Sequence, residues 1–257
     1  MNYELYRVKS VQKAMQALKL FNNECTEISL SKLSKELGTH KSTAYRIAMT
    51  LCEEGFLRWN PTDGTYSLGL KILELSSTLL QSLELRTKAR PYMEILNKVS
   101  GEFVHLGVRD KSEVVYVDKI EGNRGIRLYS EIGKRASCHC TALGKALLSG
   151  LSNQEVIGLF KNKELKPLTP NTIVSIPALL ENLEEIRNKG YALDLEEHEP
   201  LVYCVAAPIK NYNGTHIASI SITTIIKDFN ESLLNKYIEA TLDASAKVSA
   251  EMGYVSN

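Results

Sequence analysis

The sequence predicts an α+β protein with a small N-terminal winged helix-turn-helix, a helical linker and a larger C-terminal domain. Short amphipathic helices followed by a hairpin pattern fill residues 1–67, and a stripe of leucines covers 68–84. From 85 to 257, strand-like and helix-like segments follow one another without strict βαβ alternation. These observations give the fold class and divide the chain into its three segments.

The composition is that of an ordinary globular protein. Hydrophobic residues make up 44% and charged residues 24% of the 257, and 31 basic against 30 acidic residues give a net charge of +1. This excludes a disordered chain and a strongly basic nucleic-acid coat protein. The start of the chain lacks the pattern of a signal peptide, and no apolar run approaches about 18 residues. The five cysteines are scattered, so we expect a reduced, cytoplasmic protein without a disulfide framework or a membrane span.

Three short helices are expected first. Ser10 is the predicted cap of a helix whose apolar positions are Val11, Ala14, Leu18 and Phe21. Ser29 precedes a second helix, which has an apolar face formed by Leu30, Leu33 and Leu37. Residues 38–40 interrupt the pattern, and a third helix covers about 41–54. Two short helices joined by three residues that include Gly38 indicate a helix-turn-helix.

The polar face of the third helix has the chemistry of a DNA contact. Short donors and long cations lie near its N-terminus, where free N–H groups suit phosphate. They are Lys41, Ser42, Thr43, Tyr45 and Arg46. An amphipathic helix with a solvated polar face remains the alternative, since residues 1–66 carry an excess of only two positive charges. Ser31 and Lys32 of the second helix are further candidate contacts.

A hairpin follows, with strands at 56–59 and 66–68 around the turn at 61–64. A helix-turn-helix followed by a hairpin is a winged helix, and Arg58 would then lie along the DNA backbone. A winged helix that binds protein is the alternative. The linker stripe is expected either to pair with its twin in a dimer or to pack within the chain, and it consists of Leu68, Ile72, Leu75, Leu79 and Leu83.

The C-terminal domain is predicted to hold a sheet with helices packed against it. Helices are expected at 88–99, with Pro91 in the first turn, and at 141–151, 176–189 and 230–251. Strands are expected at 103–109, 114–120, 126–129, 204–209 and 217–222. Asn213 and Gly214 signal a hairpin between the last two strands.

Taken in order, these residues resemble the IclR family of bacterial transcriptional regulators, over nearly the whole chain. The motifs that carry the resemblance are 33–38 (LSKELG), 41–46 (KSTAYR), 66–69 (YSLG), 115–119 (VYVDK), 139–146 (HCTALGKA), 190–194 (GYALD), 196–197 (EE) and 204–209 (CVAAPI). The resemblance implies a homodimer or dimer of dimers that binds a pseudopalindromic operator in double-stranded DNA. It also implies a GAF/PAS-like mixed sheet with helices, which binds a small organic acid.

The family's effector pocket maps onto six positions, which are Ala142, Leu143, Asp194, Cys204, Ser221 and Thr223. One departure is clear, because Leu201 stands where the family usually has a glycine three residues before the cysteine. The loop after Glu197 is therefore expected to be shaped differently.

The residues themselves are consistent with an acid ligand. Ser219, Ser221 and Thr223 alternate along a predicted strand, so their hydroxyls share one face. Buried hydroxyls need partners, which either a ligand carboxylate or the neighbouring backbone can supply. Thr141 is a plausible helix N-cap that leaves N–H groups available to an anion, although capping alone explains it equally well. Asp194 can accept from a hydroxyl, so a carboxylate with an adjacent keto or hydroxy group is the preferred ligand.

A metal or catalytic site is the competing interpretation. Cys138, His139 and Cys140, with residues 196–198, have the atoms for zinc or a Cys/His nucleophile. Consecutive residues rarely converge on one ion, and on a strand His139 would face away from both cysteines. Cys204 is expected to be a pocket or core residue. We therefore predict no metal, no cofactor and no enzyme. The predicted function is a metabolite-responsive repressor of a catabolic operon; an enzyme and a constitutive DNA-binding protein remain alternatives.

Overall fold

The structure, a computed structural model, describes residues 7–22, 24–82, 84–123, 130–225 and 230–255. The chain divides into two compact units, Met1–Ser82 and Leu83–Asn257. Among the described residues, no helix combines the length and the apolar character that crossing a bilayer requires.

The first unit is a winged helix followed by one further helix. Its elements are α1 (Lys9–Leu18), β1 (Glu27–Ser29), α2 (Leu30–Glu36), α3 (Lys41–Glu53), β2 (Leu57–Asn60), β3 (Thr65–Leu68) and α4 (Leu70–Ser82). The three strands form an antiparallel sheet in the order β1-β3-β2. The predicted helix-turn-helix and hairpin are confirmed, and β1 is a strand that the sequence did not predict.

Local chemistry explains the helix-turn-helix. The Ser29 hydroxyl accepts a hydrogen bond from the backbone N–H of Lys32 and so caps α2. Gly38 adopts a φ of +54° between α2 and α3, a left-handed conformation that favours glycine. Behind the turn, the unit has a core of buried side chains that includes Ala17, Leu33, Ala44, Ala48 and Tyr66.

The first helix differs from its prediction. It begins at Lys9, so Ser10 lies inside the first turn and cannot be the N-cap, which is Val8 without a side-chain hydrogen bond. Val11 is 55% exposed and not inward-facing. The helix ends at Leu18, so Phe21 packs against the core from outside it.

The second unit is a six-stranded sheet with helices on both faces. Its elements are α5 (Glu84–Ser100), β4 (Phe103–Asp110), β5 (Glu113–Ile120), β6 (Arg135–Ser137), α6 (Ala142–Leu148), α7 (Asn153–Phe160), α8 (Ile176–Lys189), β7 (Ala192–Leu195), β8 (Val202–Lys210), β9 (His216–Ile225) and α9 (Glu231–Glu251). The strand order is β6-β5-β4-β9-β8-β7. Every strand pair of the described sheet is antiparallel. The predicted α+β class is confirmed. The resemblance implies a mixed sheet with parallel and antiparallel pairs, whereas the described sheet is antiparallel throughout.

The two faces of the sheet are covered by different helices. Val104, Leu106, Val205, Ile220 and Ile222 pack with α5 and α9 in one core. Because side chains alternate along a strand, the intervening residues of β4 and β9 point to the opposite face. There α6 packs on the sheet, and α7 and α8 complete a second core. A cavity lined by residues of β4, β9 and α6 lies on this second face.

Several boundaries in the second unit differ from the predictions. Helix α5 begins at Glu84, so Pro91 lies inside it and not in its first turn. Buried Leu85 and Ala89 and an ion pair between Lys88 and Glu84 extend the helix in front of the proline. The predicted strand at 126–129 lies outside the described residues. The sequence did not predict β6, β7 or α7.

Candidate functional site

The DNA-facing candidates of the first unit all lie on its surface. Exposed side chains are found at Ser31, Lys32, Lys41, Ser42, Thr43, Tyr45, Arg46 and Arg58. Ala44, Ala48 and Leu51 of α3 are buried, so the opposite, polar face of this helix is the one presented to solvent, as the pattern predicts.

The N-terminus of α3 is open to an anion. Its N-cap, His40, is extended and makes no side-chain capping bond, and the first intrahelical acceptor is the His40 carbonyl, which receives the N–H groups of Thr43 and Ala44 at 3.0 Å. The N–H groups of Lys41 and Ser42 precede these bonds and lie at the positive end of the helix dipole. Arg46 follows one turn later. This end of the helix suits a phosphate or a base edge.

The two strands of the wing are joined by an aromatic pair. Trp59 and Tyr66 face each other across β2 and β3 with ring centroids 4.9 Å apart, and the Tyr66 side chain is buried. Arg58 is adjacent to Trp59 on β2 and points to the other face of the hairpin.

A small cavity of about 60 Å³, which opens to solvent, lies in the second unit between the sheet and the N-terminus of α6. All six mapped positions line it, namely Ala142, Leu143, Asp194, Cys204, Ser221 and Thr223. They come from α6, β7, β8 and β9, so residues up to 81 positions apart in the sequence line the same cavity. The structure brings these six residues together, and their role in binding stays a prediction.

The N-terminus of α6 is capped by Thr141, as predicted. Thr141 is extended, and its hydroxyl accepts from the Gly144 N–H at 3.2 Å while donating to the Ser137 carbonyl at 3.0 Å. The first intrahelical bond runs from Lys145 N to Thr141 O. The N–H groups of Ala142 and Leu143 therefore lie in the open first turn, beside the cavity.

The three alternating hydroxyls of β9 have different partners. The Ser219 hydroxyl donates to the Ala207 carbonyl at 3.1 Å and does not line the cavity. For this residue, therefore, the neighbouring backbone and not a ligand supplies the hydrogen-bond partner. Ser221 is 1% exposed and lines the cavity. The Thr223 hydroxyl lies 3.3 Å from both the Cys204 thiol and the Nδ1 atom of His105.

Asp194 occupies the wall contributed by β7. Its Oδ1 accepts hydrogen bonds from the N–H groups of Glu197 at 2.7 Å and His198 at 3.4 Å. Burial raises the pKa of the carboxyl to about 7, although the Glu197 hydrogen bond and the charge of Lys145 act in the opposite direction. The carboxyl therefore changes protonation near neutral pH.

A buried ion pair fixes the loop beside Asp194. Lys145 of α6 is 1% exposed and its Nζ contacts the Glu197 carboxylate. The Glu197 carbonyl also accepts from the Thr172 hydroxyl at 2.6 Å. Further along, Leu201 adopts a φ of +63°, a region that favours glycine, and its N–H donates to the Glu196 carboxylate at 2.8 Å. This hydrogen bond holds the loop at the leucine that departs from the resemblance.

Among the described residues, the cysteines are not grouped as metal ligands, and burial disfavours their thiolate forms. Residues 138–140 form a 3-10 turn instead of a strand, and within the described ranges no three His, Cys, Asp or Glu side chains are arranged to hold an ion. The Cys140 Sγ is 3.8 Å from the Nδ1 of His198. Burial raises the thiol pKa of Cys138 and of Cys140 to about 12 and that of Cys204 well above its usual value. Protonated thiols are poor nucleophiles and ligands.

Sequence reasoning missed several residues of the cavity wall. They include His105, Tyr116, Ser130, Arg135 and His198. For His105 a signal existed, because it is a polar residue within the apolar run of the predicted strand 103–109. Tyr116 and Arg135 reach the cavity through the strand order, whereas Ser130 and His198 lie in loops beside it, and the sequence connected His198 only with the competing metal or nucleophilic site.

A winged helix followed by a second domain is an architecture typical of DNA-binding transcriptional regulators. Residues 10–61 match the family model described as the IclR helix-turn-helix domain, and residues 77–250 match that of the bacterial transcriptional regulator IclR C-terminal domain. The chain belongs to the IclR family. Its members are DNA-binding transcriptional regulators and not enzymes, as the sequence predicts.

Relatives support this assignment along the whole chain. The HTH-type transcriptional regulator XynR of Escherichia coli is 36% identical over 247 residues, which cover 96% of this chain and 98% of XynR. The crystal structure of Thermotoga maritima IclR matches with a TM-score of 0.78 and 33% identity, covering 96% of this chain and all of that one. An IclR homologue from Microbacterium hydrocarbonoxydans, crystallised with 4-hydroxybenzoate, has the same fold, with a TM-score of 0.82 and 22% identity over 95% of this chain and 98% of that one.

Proposed function

We propose that this regulator senses a small organic acid and represses a catabolic operon through a pseudopalindromic operator. The observation that carries the proposal is the convergence of six residues from four elements on one cavity, where the open turn of α6 meets buried hydroxyls. N–H and O–H dipoles in a partly enclosed site are suited to bind a carboxylate.

The cavity also suits a second polar group on the acid. The N–H groups of Ala142 and Leu143 and the hydroxyl of Ser221 serve the carboxylate, while Asp194 accepts from an adjacent hydroxyl or hydrated carbonyl. Arg135 also lines the wall, but its guanidinium is paired with Asp110 and Glu113. The Microbacterium homologue binds 4-hydroxybenzoate, which supports an organic acid as the ligand, although its hydroxyl is para to the carboxylate and not adjacent to it.

The DNA complex that we propose places one α3 in each of two successive major grooves. Ser42, Thr43 and Arg46 contact base edges or phosphates, Lys41 positions the helix, and Arg58 lies on the backbone. A single helix-turn-helix contacts only half of a palindrome, so two protomers are required. For the sign of regulation we favour repression, because occupying a promoter requires only tight binding, whereas activation also requires a surface for polymerase.

The proposal is tested by screening keto, hydroxy and aromatic acids for thermal stabilisation, then measuring how each binder changes affinity for the upstream DNA of the gene. A ligand at 100 times its Kd stabilises by about 2.7 kcal/mol. Ser221→Ala is expected to weaken the effect and Ser219→Ala to preserve it, because only the first hydroxyl lines the cavity. Full DNA binding without any stabilising acid would instead support a constitutive DNA-binding protein.

The DNA surface is tested separately by Arg46→Ala. The variant is expected to weaken operator binding by about 1–3 kcal/mol, with relaxed specificity at one base if Arg46 contacts a base, or evenly across sequences if it contacts phosphate. Gel-shift titrations against operator and scrambled duplexes distinguish the two. Lys98→Ala on α5 is the control, since it removes the same charge from an exposed position in the second unit. Unchanged operator affinity in Arg46→Ala would remove this residue from the interface.

A further inference from the structure

A buried histidine lies in the wall of the cavity, where the proposed ligand contacts do not use it. His105 is 3% exposed and lies on β4 between Val104 and Leu106, which face the opposite core. Its ring lies edge-on to Tyr116 with centroids 5.3 Å apart and parallel to Phe103 at 6.5 Å. Aromatic packing on both sides fixes the plane of the ring.

Each ring nitrogen of His105 contacts a hydroxyl of the cavity wall. Nε2 lies 2.8 Å from the Ser130 Oγ, and Nδ1 lies 3.3 Å from the Thr223 Oγ1. Lys119 donates to the Ser130 carbonyl at 2.8 Å and so anchors the backbone on one side. On the other side, Thr223 continues to the Cys204 thiol at 3.3 Å. The four side chains form one polar chain along the cavity.

The protons of the His105 ring and its two neighbouring hydroxyls can be counted; the Cys204 thiol carries a fourth, which does not contact the ring. Burial, with the nearby charge of Lys119, lowers the pKa of His105 to about 3, so at neutral pH the ring has one N–H and one lone pair. The ring and its two hydroxyl neighbours together hold three protons. The two hydrogen bonds at the ring use two of them. One hydroxyl proton is left, and it belongs to Thr223 when Nδ1 is protonated and to Ser130 when Nε2 is protonated.

We propose that His105 is a positioning residue, a hydrogen-bond relay that lets only one of the two hydroxyls, Ser130 or Thr223, donate to a ligand while the other accepts. This inference rests on the proposed function of the cavity as an effector site. It defines the ligand more narrowly, as a molecule with an acceptor at one end and a donor at the other. A hydroxy acid meets this requirement, whereas a dicarboxylate of the same length presents acceptors at both ends.

The relay is tested without any ligand, by ¹⁵N NMR of the full chain labelled at its five histidines. Ser130→Ala removes the partner of Nε2, so the proton is expected on Nδ1, facing Thr223. Thr223→Val removes the partner of Nδ1, so the proton is expected on Nε2, facing Ser130. A buried N–H without a partner is costly, which drives the two variants to opposite tautomers. His105→Gln identifies the resonance.

Two other histidines provide internal references for both tautomers. The Nε2 of His139 faces the Lys166 carbonyl at 3.4 Å, and the Nδ1 of His216 faces the Ala146 carbonyl at 3.1 Å. A carbonyl only accepts, so His139 is held as the Nε2–H form and His216 as the Nδ1–H form. Both signals are expected to stay unchanged in the variants, which also shows that the unit remains folded. If Thr223→Val disrupts the fold, Thr223→Ala removes the same hydroxyl.

Three results would overturn the relay. They are one tautomer of His105 in both variants, a ring that titrates near the usual histidine pKa, and stronger stabilisation of the protein by dicarboxylates than by hydroxy acids of equal length. Because the tautomer measurement needs no effector, it remains decisive even if the acid screen finds no binder. Conversely, opposite tautomers without any acid binding would support the relay and contradict the proposed effector function.

Discussion

The Asp194 carboxyl shows how burial changes a single residue in the cavity wall. It is 1% exposed and its pKa is raised to about 7, chiefly by burial. An unfolded aspartate has a pKa of about 3.9. Between these two values the native state holds a proton that the unfolded chain has released. The contribution of Asp194 to stability is therefore complete below about pH 4 and is lost as the pH rises to about 7.

Asp194→Asn is expected to remove this pH dependence. The amide keeps an oxygen for the Glu197 N–H but does not titrate. The free energy of unfolding of the variant therefore increases relative to that of the wild type as the pH rises from about 4 to 7. The relative gain is at most about 4 kcal/mol. Urea titrations of both proteins at several pH values measure it. Parallel pH profiles for the two proteins would show that Asp194 is ionised throughout the native range.

The buried pair of Lys145 and Glu197 gives a second prediction at this scale. Lys145→Met leaves the Glu197 carboxylate buried without its partner, and one Glu197 oxygen already lacks a hydrogen bond among the described residues. We expect a loss of about 3–5 kcal/mol in the free energy of unfolding, measured by chemical denaturation. The double variant Lys145→Met/Glu197→Gln is expected to recover part of it.

The exposed pair of Lys189 and Glu185 is the matched control, because both side chains are more than half in solvent. Lys189→Met is expected to leave stability unchanged, since water and salt screen such pairs. Equal effects at the two lysines would mean that the Lys145 pair is solvated and does not hold the loop after Asp194.

At the scale of elements, the position of α6 depends on one glycine. A Cβ on Gly144 would lie 2.3 Å from the Cα and 2.6 Å from the carbonyl oxygen of Cys138, which are backbone atoms. Gly144→Ala must therefore push the helix away from the 138–140 turn and open its capped N-terminus. We expect a loss of about 1–3 kcal/mol in unfolding free energy, together with weaker acid binding in the thermal-shift assay.

Gly158 provides a control of opposite sign. It lies in α7, and a Cβ there meets no atom within 4 Å. Gly158→Ala is expected to raise stability by about 0.5–1 kcal/mol, because alanine restricts the unfolded chain and favours the helix. A loss of stability only at Gly144 identifies the close approach to Cys138 as its cause, whereas a gain at both positions would contradict the packing of α6 described above.

Elements with strong periodicity, or with a turn signal as in the β2–β3 hairpin, could be predicted from the sequence, and short strands without either could not. Helix α8 was predicted with its observed bounds, since Ser175 caps its start and Gly190, at φ +79°, ends it. By contrast, β1 and β6 have three residues each and β7 has four. Such segments carry too few side chains to show a period, and their pairing partners decide their structure.

The residues of the cavity also divide into those that could be identified from the sequence and those that could not. Six of its residues were mapped through the resemblance to the family, and the capping threonine and the alternating hydroxyls are consistent with that mapping. Tyr116 and Arg135 could not be found in this way, since they reach the wall only through the pairing of β5 with β4 and β6. The antiparallel register, which the sequence left open, places His105 opposite Ser221.

For the whole molecule, α4 is the element on which the proposed dimer depends. Of the predicted leucine stripe, Leu68 lies in β3 and Leu83 lies outside the described residues. Leu75 is 50% exposed, and Leu70 and Leu73 beside the stripe are 78% and 66% exposed. Apolar side chains this exposed on one helix are typical of an interface, which favours pairing between protomers over packing within the chain.

Leu75→Asp is therefore expected to separate the protomers without unfolding them. Two symmetry-related copies would bury two carboxylates against each other, whereas in a monomer the new side chain is solvated. Sedimentation velocity measures the dissociation, and affinity for a palindromic operator should fall on the order of 100-fold, because half-sites are then bound one at a time. Ile157→Asp, at a 47% exposed position on α7, tests whether any surface charge has this effect. A Leu75→Asp protein that remains dimeric would place the interface elsewhere and return α4 to packing within its own chain.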